Sequence, residues 1–67
     1  MITLHLSPED AHFLRRQLVH QARHVEAELV RTDKHELQHA LALDLDHIQR
    51  LVQELDHRLS SLHEARR

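Results

Sequence analysis

The chain has no cysteine and no glycine, a single proline, and one residue of the Phe, Trp and Tyr group, Phe13. Each absence removes a class of explanation. Without cysteine there are no disulfides to hold a small fold together. Without glycine there is no phosphate-cradling loop and no oxyanion nest of the usual kind. No apolar run is long enough for a membrane span and there is no charged-then-apolar leader, so a cytoplasmic location is the expectation. A strong excess of one charge is missing too: the formal net charge of −2 exerts no general pull toward nucleic acid or an anionic membrane.

What is present is a small chain rich in helix formers. Sixty-seven residues make at most one domain, and a domain of that size exposes much of its surface and is marginal alone. With disulfides excluded, self-association is the first expected remedy and a structural metal the second. Nine histidines stand among these residues. Histidine ordinarily titrates near pH ~6.5, so mild acid would add up to nine positive charges to the −2 and couple solubility and assembly to pH. The plainer reading is that exposed helix positions tolerate histidine.

Apolar residues recur every three or four positions along two segments. Ala11, Leu14, Leu18, Ala22, Val25 and Leu29 form one stripe; Leu37, Leu41, Leu45, Ile48, Val52, Leu55, Leu59 and Leu62 form the other. That spacing places them on one face of each of two α-helices. The first helix is expected over 8–31: Ser7 caps it, Pro8 occupies its first position, and Glu9 and Asp10 oppose the positive end of its dipole. Thr32-Asp33-Lys34 is the one break, with Asp33 and Glu36 spaced as a capping box. The second helix is expected over 34–64. So short a connection makes the helices antiparallel, giving a helical hairpin.

Residues 1–6 read as an extended segment or tail. Ile2-Thr3-Leu4-His5-Leu6 alternates with a strand's period, and would pair with another copy, lie over the helices, or remain a loose tail. Val19, Val30 and Leu51 fall on the flanks of the stripes, while Phe13 and Leu43 point nearly away. One hairpin cannot cover all five. A pair of hairpins packed as a four-helix bundle would bury the flanks, and the Ile2–Leu6 segment could cover Phe13.

The sequence Leu6-Ser7-Pro8-Glu9-Asp10-Ala11, with Leu14-Arg15, Thr32-Asp33, Glu36-Leu37 and Ala40-Leu41, resembles short uncharacterised bacterial helical-hairpin proteins. These read as a brief strand, a Thr/Ser-Pro-Glu helix start and a Thr-Asp turn. The resemblance spans most of the chain. It implies a fold and carries no activity, cofactor or functional residues.

Chemistry has few candidate carriers. His20 and His24, and likewise His35 and His39, are four residues apart and could each chelate a divalent ion. Relative to the stripes all four project outward, so they could meet only across a contact between chains. Glu36-x-x-His39, Asp44-x-x-His47 and Glu54-x-x-His57 have the spacing of di-iron bundle ligands, but only Asp44 and His47 approach the seam. Asp44, between Leu41 and Leu45, either pairs with a basic group such as His47 or merely rims the core. No hydroxyl among Thr3, Ser7, Thr32, Ser60 and Ser61 has a credible base and orienter, so an enzyme is not expected.

The order strand, helix, helix is shared with ribbon-helix-helix DNA-binding regulators, in which Thr3 and His5 would read bases and Arg15 and Arg16 contact phosphates. Against that, these helices are about twice too long for that fold and the strand lacks Arg, Lys, Asn and Gln. The expectation is therefore an all-α chain, an antiparallel hairpin dimerising into a four-helix bundle, acting as a non-catalytic interaction or scaffold protein without cofactor. Its interface residues are Leu14, Leu18, Val25 and Leu29 against Leu41, Leu45, Ile48, Val52 and Leu55. A further protein partner is compatible with this reading. A DNA-binding regulator and a divalent-metal bundle using the histidine pairs are the alternatives.

Overall fold

The computed structural model describes residues 1–65, with side chains as far as Ser61. Two helices account for most of it: α1, Pro8–Arg31, of 24 residues, and α2, His35–Ala65, of 31 residues. They pack side by side and antiparallel in a body measuring 49 × 24 × 16 Å. No strand occurs among the described residues. The fold is a helical hairpin.

The start of α1 follows from its sequence. Ser7 adopts an extended backbone (φ −67°, ψ 159°) and its Oγ accepts the Asp10 amide at 3.1 Å, satisfying a donor with no partner inside the helix. Pro8 follows at the first helical position, and Glu9 and Asp10 lie in the first turn. At the other end Arg31 supplies a cation in the last turn, and the Thr32 amide closes on the Glu28 carbonyl at 3.0 Å.

The connection explains how the chain turns without glycine. Thr32 leaves α1 in an extended conformation (φ −82°, ψ 137°), and no residue among those described takes a positive φ. Its carbonyl accepts Gln38 Nε2 at 2.8 Å, its Oγ1 accepts the Lys34 amide at 3.4 Å, and the Gln38 amide donates to the Lys34 carbonyl at 2.9 Å. This corrects the expected Asp33–Glu36 capping box. The helix begins at His35, which makes Lys34 the cap and leaves Asp33 one position too early to serve. Gln38, reaching back to Thr32, ties the turn instead.

The segment before α1 also differs from one expectation. Ile2 is 88% exposed and Leu4 72%, so residues 2–6 do not lie over the helices. Phe13 is consequently uncovered, with the Arg16 guanidinium carbon 5.6 Å from its ring centroid. Among the described residues this five-residue alternating stretch has no strand to pair with, and hence nothing to hold it.

Candidate interaction surface

The seam between the helices is built from the two stripes. Val25 is buried, at 4% exposure, and is the only buried hydrophobic residue among those described. Leu14, Leu18 and Leu29 on α1, and Leu41, Leu45, Ile48, Val52 and Leu55 on α2, are half-buried. With the N-terminal segment exposed, that cover comes from the opposite helix. Leu37 departs from the expected stripe: at 45% exposure it stands off the seam, because Gln38 is the residue turned toward the connection. Leu62 lies beyond the described side chains.

The register is anchored at both ends. Near the turn Gln38 reaches Thr32; far from it Arg15 Nε donates to Asp56 Oδ1 and Arg15 Nη2 lies 3.4 Å from Asp56 Oδ2. Opposite positions therefore have numbers adding to about 70, at one residue per ~1.5 Å of helix. Leu29 stands level with Leu41, Val25 with Leu45, Ala22 with Ile48 and Leu18 with Val52. Val25, at the middle of this ladder, has cover on every side.

Arg15 and Asp56 form the ion pair that crosses the seam. The hydrogen bond and charge of Asp56 together hold the Arg15 guanidinium above its ordinary pKa, with a small opposing effect of burial. Sequence reading placed Arg15 near a phosphate in the DNA-binding alternative and did not pair it with Asp56. The signal was available: both residues flank a stripe, and an antiparallel hairpin with so short a turn puts positions 15 and 56 at one height. Of the two readings of Asp44, pairing with His47 or rimming the core, the pairing does not occur. Asp44 is exposed, and His47 Nδ1 accepts from Arg50 Nη2 at 3.1 Å, while Arg50 Nε also meets Asp46 at 3.3 Å.

Outside the seam α2 carries a second line of residues. Leu37, Asp44, Leu51 and Arg58 recur every seven positions and so share a face, about a quarter-turn from the seam centre. Leu37 and Leu51 are 45% and 48% exposed. The matching flank of α1 carries Gln17, Gln21 and Glu28. The outward face of α1 is basic, with His12, Arg16, His20 and Arg23 all exposed.

The histidine pairs stand apart. His20, His24, His35 and His39 are all exposed, and among the described residues no three His, Asp or Glu side chains are grouped to hold a metal ion. Among the same residues no helix is long and apolar enough to cross a membrane. No protein-family model, curated protein or solved structure matches the chain.

Proposed function

We propose that this hairpin is a non-catalytic interaction or scaffold module that works by pairing with a second copy into a four-helix bundle. The observation that carries this is the shortage of core. A compact monomer of 8.0 kDa is expected to expose about 4,500 Å², whereas this chain exposes 5989 Å², the extended segment 1–6 contributing to the difference. Among the described residues Val25 alone is buried, which makes the point residue by residue.

The reading needs no cofactor and sits naturally in the cytoplasm, where a fold without disulfides loses nothing. The Ser7 and Thr32 hydroxyls accept backbone amides at the helix ends, and the exposed histidines belong to solvated helix faces. The test is molar mass by sedimentation or light scattering from about 1 to 200 μM, with melting temperature followed over the same range. The expected result is twice the chain mass at the upper end and a melting temperature that rises with concentration. A folded monomer throughout would overturn the proposal.

A further inference from the structure

The second stripe on α2 has an order of residues that selects one mode of pairing. Along it the sequence reads Leu37, Asp44, Leu51, Arg58, so that an acid and a base stand seven residues on either side of Leu51. Seven residues are about 10.5 Å of helix. Place two copies of α2 face to face in parallel, and Asp44 meets Asp44 of the partner subunit and Arg58 meets the partner's Arg58. Place them antiparallel with the axis at Asp44, and the acids again collide. With the axis at Leu51, the two leucines meet on it, and each Asp44 comes level with Arg58 of the partner subunit.

We infer that the dimer is an antiparallel α2–α2 contact with its two-fold axis at Leu51, held by two reciprocal Asp44–Arg58 ion pairs between copies. This rests on the self-association proposed above and names the surface that carries it. Level positions in this register have numbers adding to 102, so His47 and the partner's Glu54 are offset by one residue, about 1.5 Å. Arg58 is free to make the bond. Its Nε donates to Glu54 of its own helix at 3.1 Å, leaving both terminal nitrogens of a side chain that is 76% exposed. The apolar part of the contact is Leu51 with its half-buried neighbours Ile48 and Leu55. Helix α1 has no comparable stripe: Phe13 and Val30 lie on different faces, and the flank beside the α2 stripe is Gln17, Gln21 and Glu28.

Charge reversal tests this with the full chain. Asp44→Lys and Arg58→Glu each place like charges opposite one another twice per dimer, and each is expected to raise the dimer dissociation constant at least tenfold. An equimolar mixture of the two variants restores opposite charges at both contacts, and is expected to form a heterodimer with close to the wild-type constant. Both positions are exposed, so helicity by circular dichroism should stay at the wild-type level. As an independent readout, Leu51→Cys in the otherwise cysteine-free chain should oxidise to a covalent dimer far faster than Leu43→Cys, which lies about 80° round the helix. A monomeric wild type sinks the self-association itself. A dimeric wild type whose charge variants dimerise unchanged, with no preference in the mixture, overturns this register and leaves self-association standing. Should a variant lose helicity, equal crosslinking at positions 51 and 43 would overturn it.

Discussion

Arg15 and Asp56, 41 positions apart in the chain, meet across the open end of the hairpin through Nε and Nη2 on two carboxylate oxygens. The two side chains are 40% and 50% exposed, so water and salt reach the pair. Its main effect is on register. A slip of one turn along α1 would separate these two groups while leaving leucine against leucine along much of the seam.

The first prediction concerns that pair. Replacing Arg15 by Gln should lower the melting temperature at low ionic strength, and the difference from wild type should shrink at about 1 M salt, where the screening length falls to ~3 Å. The pH dependence follows from the direction of the Arg15 shift. A guanidinium held above its ordinary pKa stabilises the fold at all pH below that ordinary value, and the contribution fades only as pH rises through the higher folded-state pKa. The loss on Arg15→Gln should therefore be the same at pH 6 and pH 9 in matched thermal melts.

The seam sets the second. Val25 is 4% exposed, and removing its two methyl groups forfeits ~0.8 kcal/mol each plus a cavity contribution, about 2 kcal/mol together. Leu18→Ala and Leu45→Ala act at half-buried sites and should fall at the low end of the usual 2–5 kcal/mol. Leu43→Ala, at a site 57% exposed, should cost less than about 0.5 kcal/mol. Urea titrations at one fixed protein concentration give the comparison. If Val25→Ala and Leu43→Ala had equal midpoints, the seam would not be where the structure places it.

Much of this was legible in the sequence, for reasons that can be located. The limits of α1 are written in Ser7-Pro8 at one end and Arg31-Thr32 at the other, where local capping decides the outcome. The leucine spacing fixes which faces meet. What sequence reading missed involves choices between neighbours. Asp33, not Lys34, has the chemistry of a cap, yet the geometry of an extended Thr32 and the reach of Gln38 decide where α2 starts. Leu37 fits the period of the stripe, but the turn rotates it off the seam. Asp44 and Asp56 flank the same stripe on opposite sides, and only the pairing of helices distinguishes the one beside Arg15.

The turn yields a third prediction. Gln38→Ala removes the bond to the Thr32 carbonyl and leaves that acceptor to water, which should cost about 1 kcal/mol. In a domain of this size that is a drop of roughly 4–8 °C in melting temperature. Asp33→Ala and Glu36→Ala, which would damage a capping box, should each change it by less than half as much. The opposite ranking would restore the box as the device that starts α2.

A fourth prediction separates the N-terminal segment from assembly. Ile2 and Leu4 are almost fully exposed and residues 2–6 do not lie over the helices, so a chain starting at Ser7 after its initiator methionine should melt as the intact chain does. Contact through α2 also predicts that the truncated chain keeps its dimer mass. If truncation instead yields a folded monomer, residues 2–6 pair between copies as strands, and the helices are not the surface through which two chains meet.

The histidines give the last. His20 with His24, and His35 with His39, present two ligands each on exposed helix faces, short of the three or four protein ligands that a zinc site ordinarily assembles. Millimolar chelator should therefore leave both the melting temperature and the molar mass where they were. The outward face of α1 carries His12 and His20 beside Arg16 and Arg23, whereas the α2 stripe relies on Asp44 and Arg58. Assembly at pH 5.5 should then weaken by less than it does on Asp44→Lys at pH 7.5. A dimer that dissociates completely at pH 5.5 and is unaffected by Asp44→Lys would move the contact from α2 to the histidine-bearing face of α1.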